Sequence, residues 1–177
     1  KIVHELGHLL GWHLDEQQDP HVDASAAAGV CDNFPGGGSL SSQMATREHA
    51  SQAAVEGFAV SRRLSSGERA RILVRAAELL EGRREEFART IAREGSKTIR
   101  EARKEAYRCT RTLRISGEEA TRLHGETLAF DQQKGSENRR GYWARQPIGV
   151  VAAITPFNDP LNLVAHKVGP AIAGGNA

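Results

Sequence analysis

Cysteine, aromatic residues and long apolar runs are scarce in this chain of 177 residues. Its two cysteines, Cys31 and Cys109, stand far apart in different kinds of segment, which excludes a disulfide framework and indicates a reducing compartment. The longest apolar run, 148–154, is interrupted by Gly149 and is far below the ~18 residues of a membrane span. We therefore expect a cytoplasmic protein that does not enter a membrane.

An excess of charge of one sign is lacking too. The 24 basic and 22 acidic residues give a formal net charge of +2. Arginine pairs such as Arg62-Arg63 and Arg83-Arg84 are interleaved with glutamate, which indicates solvated helix faces and turns. A nucleic acid is therefore not expected as a partner.

Two regions of different composition make up the chain. Residues 1–44 begin with a short apolar pattern and continue as a stretch with glycine, proline and no periodicity, which predicts a linker. Residues 45–177 are long enough for about one domain with its own core. Because residue 1 is lysine and the chain stops where a second parallel strand is expected, we expect it to be cut at both ends.

Helical periodicity dominates from about residue 45 to residue 123. Ser65 and Glu68 form a capping-box pattern at the start of the second helix. Cys109 falls within the apolar stripe of the fourth helix, so we expect a buried thiol. The predicted helices cover about 45–62, 66–82, 84–95 and 98–123.

Strand patterns follow the helices. Residues 127–147 predict a β-hairpin around the polar turn 132–138. The run 148–154 is apolar on both faces and predicts a buried, parallel strand. A turn at 158–160 and an apolar helix at 161–173 complete the first half of a βαβ unit, so the sequence predicts the α/β class.

Residues 154–158 are expected where ligands bind in an open α/β sheet, outside the carboxyl end of a strand. Pro156 makes this turn rigid, since proline fixes φ. The side chain of Asn158 can donate a hydrogen bond to a developing oxyanion. Asparagine is also among the best N-cap residues, and the chemistry alone favours a cap of the following helix over an oxyanion donor. Both alternatives stay open.

Residues from about 45 to 177 resemble the N-terminal part of the aldehyde dehydrogenase superfamily. The matching pieces include SSGERARILVRAAELLEGRREEFARTIAREGSK, GETLAF and the closing piece RRGYWARQPIGVVAAITPFNDPLNLVAHKVGPAIAGGNA. The resemblance implies a helical layer, a β-hairpin and the first strand–helix unit of a Rossmann-like domain. It points to the subgroup that oxidises small polar or phosphorylated aldehydes.

The resemblance also implies an activity and its site: oxidation of an aldehyde to a carboxylate with NAD or NADP. Asn158 matches the family's oxyanion-binding asparagine. Lys167 matches a lysine assigned to proton relay, although a surface charge on a helix explains it nearly as well. The hairpin matches an element of homo-oligomerisation. The residues that match the cofactor cleft are Ile154, Thr155, Pro156 and Phe157.

Parts of the family's catalytic set have no match in this chain. The nucleophilic cysteine and the general-base glutamate of the family lie further toward the C-terminus, and neither Cys31 nor Cys109 matches the nucleophile. The resemblance therefore implies that the chain as given does not oxidise aldehydes by itself. A non-catalytic interaction module, with the hairpin as its binding element, is an alternative.

A second, independent pattern stands at the start of the chain. In HELGHLLGWH, His4 and His8 lie four residues apart with Glu5 beside them, which resembles the zinc-binding and general-base arrangement of zincin metallopeptidases. Zinc needs a third ligand, which the extended zincin pattern places at position 14. That position is Leu14, and His13 lies one residue before it. We therefore carry a remnant of a zinc metallopeptidase as an alternative function, with His4, His8 and His13 as zinc ligands and Glu5 as a base.

Overall fold

The computed structural model describes residues 40–95 and 97–177. The predicted zinc ligands His4, His8 and His13, with Glu5, lie outside these residues, as does Cys31. The elements are α1 (Leu40–Ser61), α2 (Ser66–Gly82), α3 (Arg84–Glu94), α4 (Ile99–Ala120), β1 (Glu126–Ala129), β2 (Arg140–Trp143) and α5 (Asn162–Ala173).

Helix α4 is the centre of the core, because α2, α3 and α5 all pack against it. Its buried stripe includes Ala102, Ala106, Cys109 and Leu113, at the spacing that puts side chains on one helical face. Helix α2 contributes Leu73, Ala76, Ala77 and Leu80 at the same spacing, and α3 contributes Phe87, Ala88 and Ile91. The apolar stripes predicted for α2, α3 and α4 are therefore confirmed, including the buried thiol, whereas the described side chains of α1 contribute none of the buried core residues.

The predicted capping box at the start of α2 is also confirmed. The backbone N–H of Glu68 donates to Ser65 Oγ over 3.3 Å, and the backbone N–H of Ser65 donates to Glu68 Oε2 over 2.7 Å. Helix α2 ends at Gly82 as expected, whereas α4 ends at Ala120, before the predicted boundary at 123. Thr98 caps α4 by accepting the N–H of Glu101.

Two glycines on helix faces allow the helices to approach closely. A Cβ atom on Gly117 of α4 would lie 3.1 Å from the carbonyl oxygen of Ala70 in α2. A Cβ atom on Gly169 of α5 would lie 2.6 Å from Ser116 Oγ in α4. The first distance is tighter than most Cβ contacts and the second requires Ser116 or a helix to shift, so glycine favours the close spacing of α4 from its two neighbours.

The predicted hairpin forms, with shorter strands than the pattern suggested. β1 and β2 pair antiparallel, with Glu126 opposite Trp143 and Ala129 opposite Arg140. Large apolar side chains on it stay exposed, among them Leu128 and Tyr142.

The prediction of a buried strand at 148–154 is wrong for the chain as the structure describes it. The segment is extended but is assigned no strand, and Ile148 and Ile154 are 88% and 90% exposed. A parallel strand becomes buried only when neighbouring strands and helices cover its edges and faces. Within the described residues, its backbone bonds run to the end of the chain: Ala177 donates to the Gly149 carbonyl and accepts from the N–H of Val151. That pair of bonds is the pattern of a parallel ladder around Val150.

No helix in the described residues is long and apolar enough to span a membrane.

Candidate active site

The turn that joins the segment 148–154 to α5 holds the predicted site. Asn158 is exposed in this turn, and no hydrogen bond of its side chain is found among residues 40–95 and 97–177. Phe157, its neighbour, is 85% exposed. The amide of Asn158 is therefore available to a ligand.

Asn158 does not cap α5, so that alternative is wrong. Helix α5 begins at Asn162, and its N-cap position is occupied by Leu161. Two backbone N–H groups at this end, which have no partner within the helix, are bound by Glu105 of α4. Its Oε1 accepts from Leu161 N at 2.8 Å and from Asn162 N at 3.2 Å. Glu105 is fully buried, and a carboxylate is a favourable partner for the positive end of a helix dipole.

Lys97 connects this cap to the turn. Its Nζ donates to Glu105 Oε2 at 2.6 Å and also pairs with the carboxylate of Asp159, the residue after Asn158. Burial alone would lower the pKa of Lys97, but its hydrogen bonds to Asp159 and Glu105 hold that pKa above its usual value. Lys97 is therefore charged across the physiological pH range.

Arg108 holds Asp159 from the other side, with Nη2 2.6 Å from Oδ2. Burial alone would raise the pKa of Asp159, but the hydrogen bond and charge of Lys97, together with Arg108, hold that pKa below its usual value. We call Lys97, Glu105, Arg108 and Asp159 the Glu105 network. It joins the start of α4, its middle and the turn at Asn158 through charged hydrogen bonds.

Uncharged contacts add to the attachment of α5. Thr112 Oγ1 donates to Asn162 Oδ1 at 2.9 Å, and the thiol of Cys109 lies 3.8 Å from the carbonyl oxygen of Leu161. Burial and the nearby Glu105 carboxylate raise the pKa of the Cys109 thiol, so it stays protonated and is no nucleophile.

The other predicted residues lie around this turn. Ile154, Pro156 and Phe157 are exposed and Thr155 is half-buried. Lys167 is exposed on α5, and no contact joins it to Asn158 among the described residues. Asn158 and the predicted cofactor residues are consecutive in the chain, and Lys167 lies on a helix surface.

Metal-binding clusters of three or more His, Cys, Asp or Glu are absent from residues 40–95 and 97–177. The predicted zinc ligands lie outside these ranges, so zinc binding by His4, His8 and His13 stays a prediction.

The sequence prediction missed the Glu105 network. One signal was available: Glu105 interrupts the apolar stripe of α4, between Ala102 and Cys109. A charged residue at a core position requires a partner. The partner's identity follows only from the fold, since Leu161 lies 56 residues further along the chain.

Comparison with known proteins settles the family. The sequence pattern of the aldehyde dehydrogenase family matches residues 39–177. The chain belongs to the aldehyde dehydrogenase family. The match leaves out residues 1–38.

Individual members of the family are similar over the same region. Aspartate-semialdehyde dehydrogenase 1 of Pseudomonas canavaninivorans is 55% identical over 109 residues, which are 62% of this chain and 23% of that protein. A 3-sulfolactaldehyde dehydrogenase of Priestia megaterium is 54% identical over 110 residues, again 62% of this chain and 23% of that protein. The chain therefore spans about a quarter of the length of these relatives.

The structure is similar to that of solved aldehyde dehydrogenases. It matches NADP-dependent glyceraldehyde-3-phosphate dehydrogenase from Bacillus halodurans, complexed with NADP, with a TM-score of 0.68 and 39% identity. The match covers 71% of this chain and 27% of that one. The predicted α/β fold, with its helical layer and hairpin, is thereby confirmed.

Proposed function

We propose that this chain supplies the oxyanion-binding part of an NAD(P)-dependent oxidation of a small polar aldehyde to a carboxylate. The observation that carries the proposal is the exposed amide of Asn158, which stands on a turn held by charged hydrogen bonds. Its place in the aldehyde dehydrogenase family supports the same activity.

Asn158 has the chemistry for one step of this oxidation. When a nucleophile adds to the aldehyde carbonyl, the oxygen gains negative charge, and an amide N–H held at that position stabilises it. Loss of one such donor typically lowers kcat by about 10² to 10³. The amide stabilises the oxyanion because it is held in position before the charge develops. The rigidity of the turn that carries Asn158 therefore matters as much as the polarity of the amide.

The residues around Asn158 fit NAD or NADP in their chemistry. Ile154 and Phe157 are 90% and 85% exposed and offer apolar surface that a flat aromatic ring can cover. Pro156 stiffens the backbone between them. When bound, the nicotinamide of either cofactor accepts the hydride of the oxidised aldehyde.

The names of two relatives support a substrate class. Two similar proteins are named for aspartate semialdehyde and 3-sulfolactaldehyde, which are small aldehydes that carry an anionic group. We infer an aldehyde of this kind for the protein to which the chain contributes, with NAD and NADP both open as acceptors.

The covalent and acid–base steps require residues other than Cys109. Its thiol is fully buried and its pKa is raised, so it cannot attack a carbonyl. We infer that this chain by itself does not oxidise aldehydes. Lys167 is proposed as a proton relay on its family match; its exposed place on α5 suits a surface charge equally well.

The hairpin is proposed as a contact between copies of the protein. Tyr142 is 80% exposed and Leu128 is 47% exposed, and exposed apolar side chains on a two-stranded sheet favour association. Size-exclusion chromatography with light scattering, on the wild type and on a Tyr142→Ser, Leu128→Ser variant, tests this. A homo-oligomer that dissociates in the variant is expected.

Enzyme assays test the main proposal. The complete protein, as its source produces it, is incubated with NAD or NADP and with aspartate semialdehyde, 3-sulfolactaldehyde or the apolar control hexanal, and NAD(P)H is followed by absorbance. We expect oxidation of the two small polar aldehydes, and a kcat about 10² to 10³ lower in Asn158→Ala. Unchanged kcat in that variant would contradict the role of Asn158.

A further inference from the structure

The Glu105 network is built from three separate parts of the chain that meet beside Asn158. Glu105 and Arg108 come from α4, Lys97 precedes that helix, and Asp159 directly follows Asn158. We propose that Glu105 and Lys97 are positioning residues that fix the direction of the Asn158 amide. This inference rests on the proposed function of Asn158 as an oxyanion donor.

The placement of Asn158 must come from its neighbours, because no side-chain hydrogen bond holds it among the described residues. On its C-terminal side, Asp159 is paired with both Lys97 and Arg108. Two residues further, the backbone N–H groups of Leu161 and Asn162 are bound by Glu105. The turn is therefore fixed to α4 at the residues that directly follow Asn158.

The burial of Glu105 argues for a role beyond packing. Its neighbours on the buried face of α4 are Ala102, Ala106 and Cys109, and the side chain itself is 0% exposed. Buried ion pairs commonly add little to stability over an apolar residue of similar volume. What the carboxylate supplies and an apolar side chain cannot is directional bonding: two backbone N–H groups at one oxygen and Lys97 at the other.

The first test is Glu105→Gln in the complete protein. Glutamine keeps a carbonyl oxygen for the N–H of Leu161, but its amide nitrogen cannot accept from Lys97. A displacement of about 1 Å at a reacting group can cost about 10²-fold in rate. We expect kcat to fall by about 10-fold or more, with the KM of the aldehyde and of the cofactor little changed. Arg103→Met is the matched control, because it breaks an ion pair of the same helix with Glu85, away from the turn.

A double-mutant cycle separates positioning from mere stability. If Glu105 acts through Asn158, Glu105→Gln has little further effect on kcat once Asn158 is alanine. If Glu105→Gln lowers kcat by the same factor with and without Asn158, or leaves kcat of the wild type unchanged, the positioning role is overturned. If Asn158→Ala alone leaves kcat unchanged, the proposed function fails instead.

Asp159→Asn provides a second route if Glu105→Gln does not fold, as judged by circular dichroism. This substitution removes the charge that Lys97 and Arg108 hold and leaves the Glu105 cap in place. In the same cycle it is expected to lower kcat only when Asn158 is present. An equal loss in both backgrounds would overturn the proposal.

Discussion

Replacing Lys97 by methionine is expected to destabilise the fold strongly, although the residue lies between elements and not inside one. Methionine keeps most of the length of the side chain and removes the charge that Glu105 and Asp159 share. Asp159 retains Arg108, whereas Glu105, which is 0% exposed, retains only backbone N–H groups. The variant therefore leaves a buried carboxylate without a counter-charge.

The size of the loss follows from two opposing terms. Removing one partner of a buried ion pair costs about 3–5 kcal/mol. The two N–H bonds at the start of α5 survive, and a favourable helix dipole in a partly buried site is worth up to about 2 kcal/mol, so Glu105 keeps part of its stabilisation. With the full offset, we expect the free energy of unfolding to fall by about 1–3 kcal/mol.

Urea unfolding followed by circular dichroism measures this loss, with Arg103→Met as the control. The exposed pair of Arg103 with Glu85 should contribute little to stability, because solvent screens it. The double variant Lys97→Met, Glu105→Gln should be more stable than Lys97→Met alone, because it no longer buries an unpaired charge. A double variant as unstable as the sum of the two single variants would refute the reasoning.

Four further outcomes are expected. Ser65→Ala removes the capping box of α2 and should cost about 1 kcal/mol in thermal unfolding, whereas Ser66→Ala should cost less. The pKa of Asp159 is lower in the folded than in the unfolded protein, so its contribution to stability is fully present above the unfolded pKa of about 3.9 and is lost as pH falls through the folded pKa. In an acid titration, Asp159→Asn should therefore lose less folding stability than the wild type. Cys109 should resist iodoacetamide in the folded protein and react in urea, as peptide mass mapping would show; labelling without urea would contradict its burial. After dialysis against zinc, elemental analysis should find zinc bound to the wild type and not to the double variant His4→Ala, His8→Ala. Equal zinc in the wild type and the double variant would contradict the prediction.

Local signals in the sequence predicted the helical part well. The cap at Ser65 and Glu68 depends on residues three positions apart, and the stripe of α4 depends on its own periodicity. The hairpin followed from a polar turn between two strand-like runs. In each case the interactions that decide the structure lie close together in the sequence, so composition and spacing suffice.

Distant interactions account for the failures. The run 148–154 has the composition of a buried strand, but its burial depends on neighbours, and in the described residues only the last residues of the chain bond to it. The cap of α5 was assigned to Asn158 as one alternative, since asparagine favours that position. The fold supplies Glu105 from 56 residues away instead, which no local pattern indicates.

Single-turnover kinetics on the complete protein would test the central claim most directly. The enzyme is in excess over a small polar aldehyde, and NAD or NADP is saturating. The rate of the first NAD(P)H formed then reports the steps in which the carbonyl oxygen carries charge. The account predicts that Asn158→Ala slows this rate by about 10² to 10³ while cofactor binding is retained. An equal rate in the two proteins, or no NAD(P)H from the wild type, would contradict it.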